Sequence, residues 1–263
     1  MPTNLFEWSA TQFPALLLVM MRVAPVLFMM PLFNARNLPP LLKAGLTLTV
    51  SLVLWPIVKV DPSSFSLDVY SLGFFILSEF LIGFLLGLSV RLILTSLQLA
   101  GEFAGFQMGF GVANILDPQT GMSGTLIAQF YYLLGLLIFL SIDGHHWFFR
   151  ALVQSFRLLP PGEFAFQEGL YRHLLHLSGK MFSLAIQMVA PVTATLLLVQ
   201  FGLSVMARMM PQMNLLISSF PLTIAFGLVF MGLSMELLGP FLKSLFEETG
   251  SGLVTTLLPL MRR

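Results

Sequence analysis

The stretch MFSLAIQMVAPVTATLLLVQFGLSVMA, Met181 to Ala207, has 27 residues and contains no Asp, Glu, Lys, Arg or His. A helix crosses the hydrocarbon core of a bilayer with about 20 residues, so this stretch is long enough to span a membrane. Two further runs, Pro118 to Ile142 and Met209 to Met235, also carry no charge. Because only 10% of the whole chain is charged and 57% is hydrophobic, the composition predicts a membrane protein, and the length of the runs makes it an all-α one.

Apolar length and flanking polar residues predict about six long hydrophobic helices, with one interrupted segment among them. The predicted spans lie near residues 12–33, 41–59, 69–94, 124–142, 181–206 and 214–240. A Gly-rich piece at 100–121 and a charged connection at 143–180 separate some of these spans. No soluble domain fits between them, so the chain is expected to form a single membrane domain over residues 1–263.

Prolines occur in almost every predicted span. They are Pro25, Pro31, Pro56, Pro191 and Pro221. Each removes an amide donor and clashes with the preceding turn, which predicts kinked or broken helices. Broken membrane helices usually surround a site or a channel; the alternative is that proline is simply commoner in membrane helices than in soluble ones. The distribution of Lys and Arg favours both termini in the cytoplasm.

Four charged residues lie within or at the edge of apolar segments: Glu79, Arg91, Glu102 and Glu236. A charge at membrane depth is costly, so it normally faces a bundle interior, a cavity or a partner. Glu79 and Arg91 are twelve positions apart, about 18 Å along a helix, and cannot pair within it. These charges are expected to pair between helices or subunits, with a proton or ion relay as the alternative.

Enzyme chemistry finds little support in the chain. There is no Cys, and no phosphate-binding loop, zinc-protease motif or dinucleotide-binding glycine pattern. The histidines form two pairs, His145-His146 and His173-xx-His176, which we interpret as solvated interfacial pairs, since neither has an accompanying carboxylate at a metal-ligand spacing. No enzyme activity, cofactor or metal is expected. No basic stripe is present to bind nucleic acid.

The segment GFQMGFGVANILDPQTG, Gly105 to Gly121, combines apolar side chains with residues that resist regular helix. Irregular backbone at membrane depth is tolerated only when it is buried in protein or lines an aqueous cavity. Such a segment fits an apolar plug that fills a cavity and yields when pushed. A re-entrant loop that merely packs fits the composition equally well. Small residues at Gly83-xxx-Gly87 and Gly101-xxx-Gly105 also favour close helix packing.

Three stretches carry a family resemblance: GFGVANILDPQTG at 109–121, QFYYLLGLLIFLSIDGHHWF at 129–148 and ARMMPQMNLLISSFPLTI at 207–224. They resemble the FliR family of flagellar biosynthetic proteins, whose relative in virulence type III secretion is called SctT. The similarity of pattern extends over nearly the whole chain.

The resemblance implies an export-gate subunit in the bacterial inner membrane, within the flagellar basal body. It would assemble with FliP and FliQ homologues into a channel for unfolded flagellar proteins, with FlhB and FlhA homologues alongside. The fold it implies joins a FliP-like part (1–150) to a FliQ-like helical hairpin (151–263).

The resemblance also assigns site residues. The loop that would plug the channel contains Gly105, Phe106, Met108, Gly109, Phe110, Gly111, Val112, Asn114, Ile115, Asp117 and Pro118. The tip of the hairpin contains Arg208, Pro211, Gln212, Met213 and Asn214. In this family the tip would face the cytoplasmic entrance, which disagrees with the distribution of Lys and Arg.

Two other functions remain open on the sequence. One is a secondary transporter that uses Glu79, Arg91 and Glu236 as coupling charges in broken helices. The other is a purely structural nucleus for assembling a ring of membrane subunits. No pair of matching halves supports the transporter.

Overall fold

A computed structural model of the protein describes residues 5–31, 33, 39–58, 69–110, 126–209 and 215–262. Seven long α-helices run through these ranges: α1 (Leu5–Met29), α2 (Pro40–Val58), α3 (Val69–Met108), α4 (Leu126–Ser141), α5 (Gly144–Leu158), α6 (Glu168–Met209) and α7 (Leu215–Gly252). A π-helical turn (Leu253–Leu257) and a short helix, α8 (Leu258–Leu260), follow. Within the described ranges, β-structure is limited to one isolated bridge between Phe164 and Arg262.

Ten residues with a predicted function lie outside the described ranges. They are Gly111, Val112, Asn114, Ile115, Asp117, Pro118, Pro211, Gln212, Met213 and Asn214. The first six belong to the predicted plug and the other four to the predicted hairpin tip.

The fold confirms the predicted all-α membrane protein. Five helices, α1, α2, α3, α6 and α7, are long and apolar enough to cross a membrane, and α4 with α5 makes a sixth if the two are taken as one span. Helix α6 has 42 residues, about 63 Å at 1.5 Å per residue. This is roughly twice the thickness of a hydrocarbon core, about 30 Å.

Helix α3 corrects the predicted end of the third span. It continues past residue 94 to Met108 and is 40 residues long, so Gly101 and Gly105 are helical rather than irregular. The reason is packing, since a Cβ at Gly101 would collide with the backbone of Ala128 on α4. The close approach of α4 compensates for the low helix propensity of glycine here.

The helices continue through Pro25, Pro56, Pro191 and Pro221, so these prolines do not break them, as local adjustment and neighbouring helices permit in membrane proteins. A kink at these prolines stays a prediction. The charged connection at 143–180 is mostly helical, because it contains α5 and the start of α6. Helix α5 buries an apolar side and exposes its basic residues, which explains why the segment looks polar in sequence.

The chain divides into two compact units. Unit 1 consists of Met1–Arg91, Asp143–Leu177 and Phe246–Arg263, and unit 2 of Leu92–Ile142 and Ser178–Leu245. Helices α3, α6 and α7 each contribute residues to both units. The predicted division into FliP-like and FliQ-like parts stays a prediction.

In unit 1, α1 and α3 approach each other at two glycines. A Cβ added at Gly83 would collide with the carbonyl oxygen of Arg22, and one added at Gly87 would meet the side chain of Met29. The predicted close packing at Gly83-xxx-Gly87 is therefore confirmed. It brings the middle of α1, where Arg22 lies, against the middle of α3.

Candidate functional site

The described part of the predicted plug, residues 105–110, forms the end of α3 in unit 2. Met108 is fully buried, and a Cβ at Gly227 of α7 would collide with its side chain. The hydroxyl of Thr223, also on α7, donates a hydrogen bond to the carbonyl oxygen of Met108 at 3.1 Å. The last turn of α3 is thus held on α7 by one side chain and one hydrogen bond.

Gly109 ends the helix. Its φ of +97° lies in the region that L side chains rarely adopt, and glycine commonly terminates helices in this way. Its amide donates to the carbonyl of Phe106 at 3.2 Å, and a Cβ would collide with the ring of Phe220. The position therefore requires glycine for both its conformation and its surroundings.

The residues on either side of Gly109 differ sharply in exposure. Gly105 and Met108 are buried, Phe110 is half-buried, and Phe106 is 72% exposed. Phe106 is thus the large apolar side chain of this stretch that remains available to another surface. The end of α3 is fixed on α7, whereas the ring of Phe106 is exposed.

An apolar groove of about 770 Å³ lies beside this base, between α3 and α6 within unit 2. Its walls include Leu99, Glu102, Phe103, Phe106, Gln107, Ile186, Val189, Ala190, Thr193, Ala194 and Leu197. Two oxygens of these walls, Oε1 of Gln107 and Oγ1 of Thr193, are buried without a hydrogen-bond partner among the described residues.

Glu102 lies half-buried in the same groove. No Lys or Arg of the described residues is within ion-pair distance of its carboxylate. The groove therefore offers Glu102 no cationic neighbour among the described residues. Its polar atoms are chiefly acceptors, so it favours a partner that supplies hydrogen-bond donors.

Glu79, in contrast, is paired inside unit 1. Nε of Arg22 on α1 donates to Oε2 of Glu79 at 2.5 Å, and both side chains are fully buried. The other guanidinium nitrogens donate to Oγ of Ser155 at 3.1 Å and to the carbonyl of Leu159 at 2.9 Å. The guanidinium also lies over the ring of Phe156, 4.1 Å from its centroid. One cation therefore joins α1, α3 and the end of α5.

Sequence spacing could not identify this pair, since Arg22 and Glu79 are 57 positions apart. A usable signal existed, because Arg22 is the charge in the middle of the first span and Glu79 lies in the middle of the third. Buried charges of opposite sign in neighbouring spans commonly satisfy each other.

The other predicted charges lie at the surface of the isolated chain. Arg91 is exposed and donates to Sδ of Met29 at 3.3 Å. Glu236 is exposed on α7, between the exposed side chains of Leu233 and Leu237. Arg208 is exposed near the end of α6. Glu79 and Arg91 belong to unit 1, and Glu102 and Glu236 to unit 2, so the predicted charges are distributed over both units.

Asp143 joins the histidine pair at the start of α5. Its Oδ1 is 3.5 Å from Nδ1 of His146 and 3.9 Å from Nε2 of His145. The expectation that no carboxylate accompanies these histidines at a ligand spacing is therefore wrong. The backbone causes the encounter, because Asp143 takes a left-handed conformation with φ of 56°.

Sequence similarity to known proteins extends over most of this chain. The family described as "Bacterial export proteins, family 1" matches residues 13–249. The flagellar biosynthetic protein FliR of Bacillus subtilis (strain 168) is 34% identical over 240 residues, covering 90% of this chain and 92% of that protein. The FliR proteins of Escherichia coli (strain K12) and Aquifex aeolicus (strain VF5) are 29% identical over 249 residues and 30% identical over 234 residues.

The share of each protein that can be aligned shows whether the similarity extends along the whole chain. For the Escherichia coli protein it is 93% of this chain and 89% of the relative, and for the Aquifex protein 89% and 90%. The likeness is therefore not confined to one apolar segment, which membrane proteins of similar composition could share by chance. The chain belongs to family 1 of the bacterial export proteins, together with the flagellar biosynthetic proteins FliR.

Proposed function

We propose that this chain is a gate subunit of the flagellar type III secretion system in the bacterial inner membrane. It helps to form and seal the channel through which unfolded flagellar proteins leave the cell. The observation that carries this proposal is the end of α3, where a fixed base leads through Gly109 into the Gly-rich segment and leaves Phe106 exposed.

The proposed mechanism is passive gating. Apolar side chains of residues 105–121, including Phe106 and Phe110, occlude the channel against ions, and the segment yields when a polypeptide enters. Met108, also predicted to occlude the channel, is buried against Gly227, and we assign it to holding the end of α3 in place. The energy for export comes from other components.

Unsatisfied surfaces support a hetero-oligomeric assembly. The groove around Glu102 lacks a cation from the described residues, and α6 and α7 expose many large apolar side chains. FliP and FliQ homologues would cover these surfaces, with FlhB and FlhA homologues nearby. The apolar faces left over would contact lipid.

Deletion of Gly105 to Gly121 tests the proposal. Cells that express the shortened chain with its gate partners should leak ions and small molecules across the inner membrane, whereas cells with the intact chain stay tight. Assembly is checked in parallel by purifying the complex through a different subunit.

Two outcomes of this experiment separate the alternatives. Leakage through an assembled complex supports a plug. An assembled complex that stays tight and exports normally contradicts it, and then residues 105–121 only pack. A purified chain that transports a small solute in liposomes without partners would favour the secondary transporter instead.

A further inference from the structure

We propose that Asp143, His145 and His146 form a binding site for a divalent transition-metal cation such as Zn²⁺. One potential ligand atom from each of the three residues lies within 4.8 Å of the other two. Two imidazoles and one carboxylate are a donor set that suits Zn²⁺ and similar borderline cations. This inference does not depend on the proposed export-gate function.

The local backbone makes the cluster. Asp143 precedes α5 as its N-cap residue in a left-handed conformation, with φ 56° and ψ 32°. Its carbonyl oxygen accepts the amide of His146 at 2.9 Å, which closes the turn and brings the three side chains together. Asp and Asn are the non-glycine residues that most readily adopt this conformation.

The carboxylate of Asp143 does not cap the backbone amides of α5. Asp at an N-cap usually accepts a hydrogen bond from a backbone amide of the first turn, but Asp143 makes no such side-chain bond. The two imidazoles lie 3.9 and 3.5 Å from its Oδ1. The carboxylate therefore faces the same side chains that a metal ion would require.

The dimensions are close to those of a coordination sphere. Zinc–ligand distances of about 2.0–2.1 Å place tetrahedral ligand atoms about 3.4 Å apart. The observed separations from Oδ1 of Asp143 are 3.5 and 3.9 Å. The side chains of Asp143 and His146 are 73% and 58% exposed, so small rotations can close the site, and water has access to the remaining coordination positions.

Two features limit the affinity of this site. The N-terminal end of a helix carries a partial positive charge, which opposes a cation. Metal-bound histidines usually donate their other ring nitrogen to an acceptor, but Nδ1 of His145 is buried without a partner among the described residues. A weak, exchangeable site with three protein ligands is therefore expected.

Zinc titration of the full chain in detergent tests the site. The protein is purified without a polyhistidine tag. Because the chain has no Cys, its four His and its carboxylates are the strong metal donors. Bound Zn²⁺ is measured by competition with a chromophoric chelator. Binding of Cu²⁺, followed by electron paramagnetic resonance, counts the coordinating nitrogens without any substitution.

Substitutions in the proposed metal site are compared with substitutions of the other histidine pair. Asp143→Asn keeps the backbone conformation and should weaken Zn²⁺ binding by roughly tenfold or more, because even outer-shell partners of a metal contribute that much. His145→Ala with His146→Ala should abolish the site. The control, His173→Ala with His176→Ala, removes the other histidine pair and should leave Zn²⁺ binding unchanged.

The unaltered chain should bind one Zn²⁺, and its Cu²⁺ spectrum should report two nitrogens. The proposal is overturned if the unaltered chain binds no Zn²⁺, if Asp143→Asn binds as tightly as the unaltered chain, or if only the His173 and His176 variant loses binding. Circular dichroism confirms that each variant retains its helices.

Discussion

Two glutamates on one helix have opposite surroundings. Glu79 of α3 is fully buried in unit 1 and paired with Arg22, whereas Glu102, 23 positions later on the same helix, lies in an apolar groove of unit 2 with no described cation beside it. The ion pair of Glu79 with Arg22 joins two helices of its own unit, while Oε1 of Glu79 is buried without a hydrogen-bond partner among the described residues. In the proposed assembly, another subunit would cover the surface around Glu102, which has no charged partner among the described residues.

The largest expected effect comes from breaking the buried pair. Arg22→Ala leaves Glu79 buried without its cation, and such changes cost about 3–5 kcal/mol. We expect unit 1 to lose its structure and the chain to be degraded in cells. Thermal unfolding of the purified chain measures the loss, with Arg91→Ala as a control because Arg91 is exposed.

An apolar replacement of both charges sharpens this test. Arg22→Met combined with Glu79→Leu should recover part of the lost stability, since buried ion pairs are often replaceable by packed apolar residues. The recovery should stay incomplete, because the carbonyl of Leu159 loses a donor. If Arg22→Ala alone unfolds at the temperature of the unaltered chain, the pair does not hold unit 1 together.

The second effect concerns the close approach of α1 and α3. Gly83→Ala places a methyl group against the carbonyl oxygen of Arg22, and such overpacking costs roughly 1–3 kcal/mol. Gly73→Ala is the matched control on the same helix, since a Cβ there meets nothing within 4 Å. It should be neutral or stabilising by up to about 1 kcal/mol. Equal unfolding temperatures for the two variants would show that α1 can move away at no cost.

A third effect is expected at the end of α3. Gly109→Ala must place an L side chain in a left-handed conformation, which costs roughly 1–2 kcal/mol, and its methyl group also meets Phe220. We expect the base of the plug to shift and the membrane of cells with the assembled gate to leak. Gly202→Ala serves as the control, because its Cβ meets nothing within 4 Å. Leakage that is the same in both variants would contradict the role of Gly109.

The smallest effect on the isolated chain is expected at Glu102. Glu102→Gln removes a half-buried charge that has no described partner, so the stability of the chain alone should change by no more than about 0.5 kcal/mol. Assembly with the gate partners should nevertheless fall, which co-purification of the complex measures. If Glu102→Gln left assembly unchanged and strongly destabilised the isolated chain, Glu102 would stabilise the chain itself, as Glu79 does, and would have no role in assembly.

Hydropathy predicted the helices well because span length depends on local composition. The prediction of a span at 41–59 differs from α2, Pro40–Val58, by one residue at each end. The predicted end of the third span at residue 94 was wrong, since α3 continues to Met108 through Gly101, where the backbone of α4 packs against it. The helix α5 was missed because half of its surface is polar.

The candidate site was less predictable than the fold. Composition pointed to the segment 105–121 but not to the different environments of its residues. Met108 is buried and Phe106 is exposed because Met108 contacts Thr223 and Gly227, more than 100 positions away. The encounter of Asp143 with its histidines depends on one left-handed residue. Neither hydropathy nor residue spacing predicts the contacts of Met108 or the cluster of Asp143 with its histidines.

Contact between residues 105–121 and a polypeptide in transit tests the export-gate proposal most directly. Because the chain has no Cys, Ile115→Cys introduces a single thiol in the proposed plug, and Leu198→Cys places one at a position of α6 that is 73% exposed. An export substrate with one Cys is arrested in the channel by a folded domain fused to its end. The account predicts a disulfide between the substrate and the thiol at position 115, and none at position 198. An assembled, exporting complex that forms no cross-link at position 115 would contradict it.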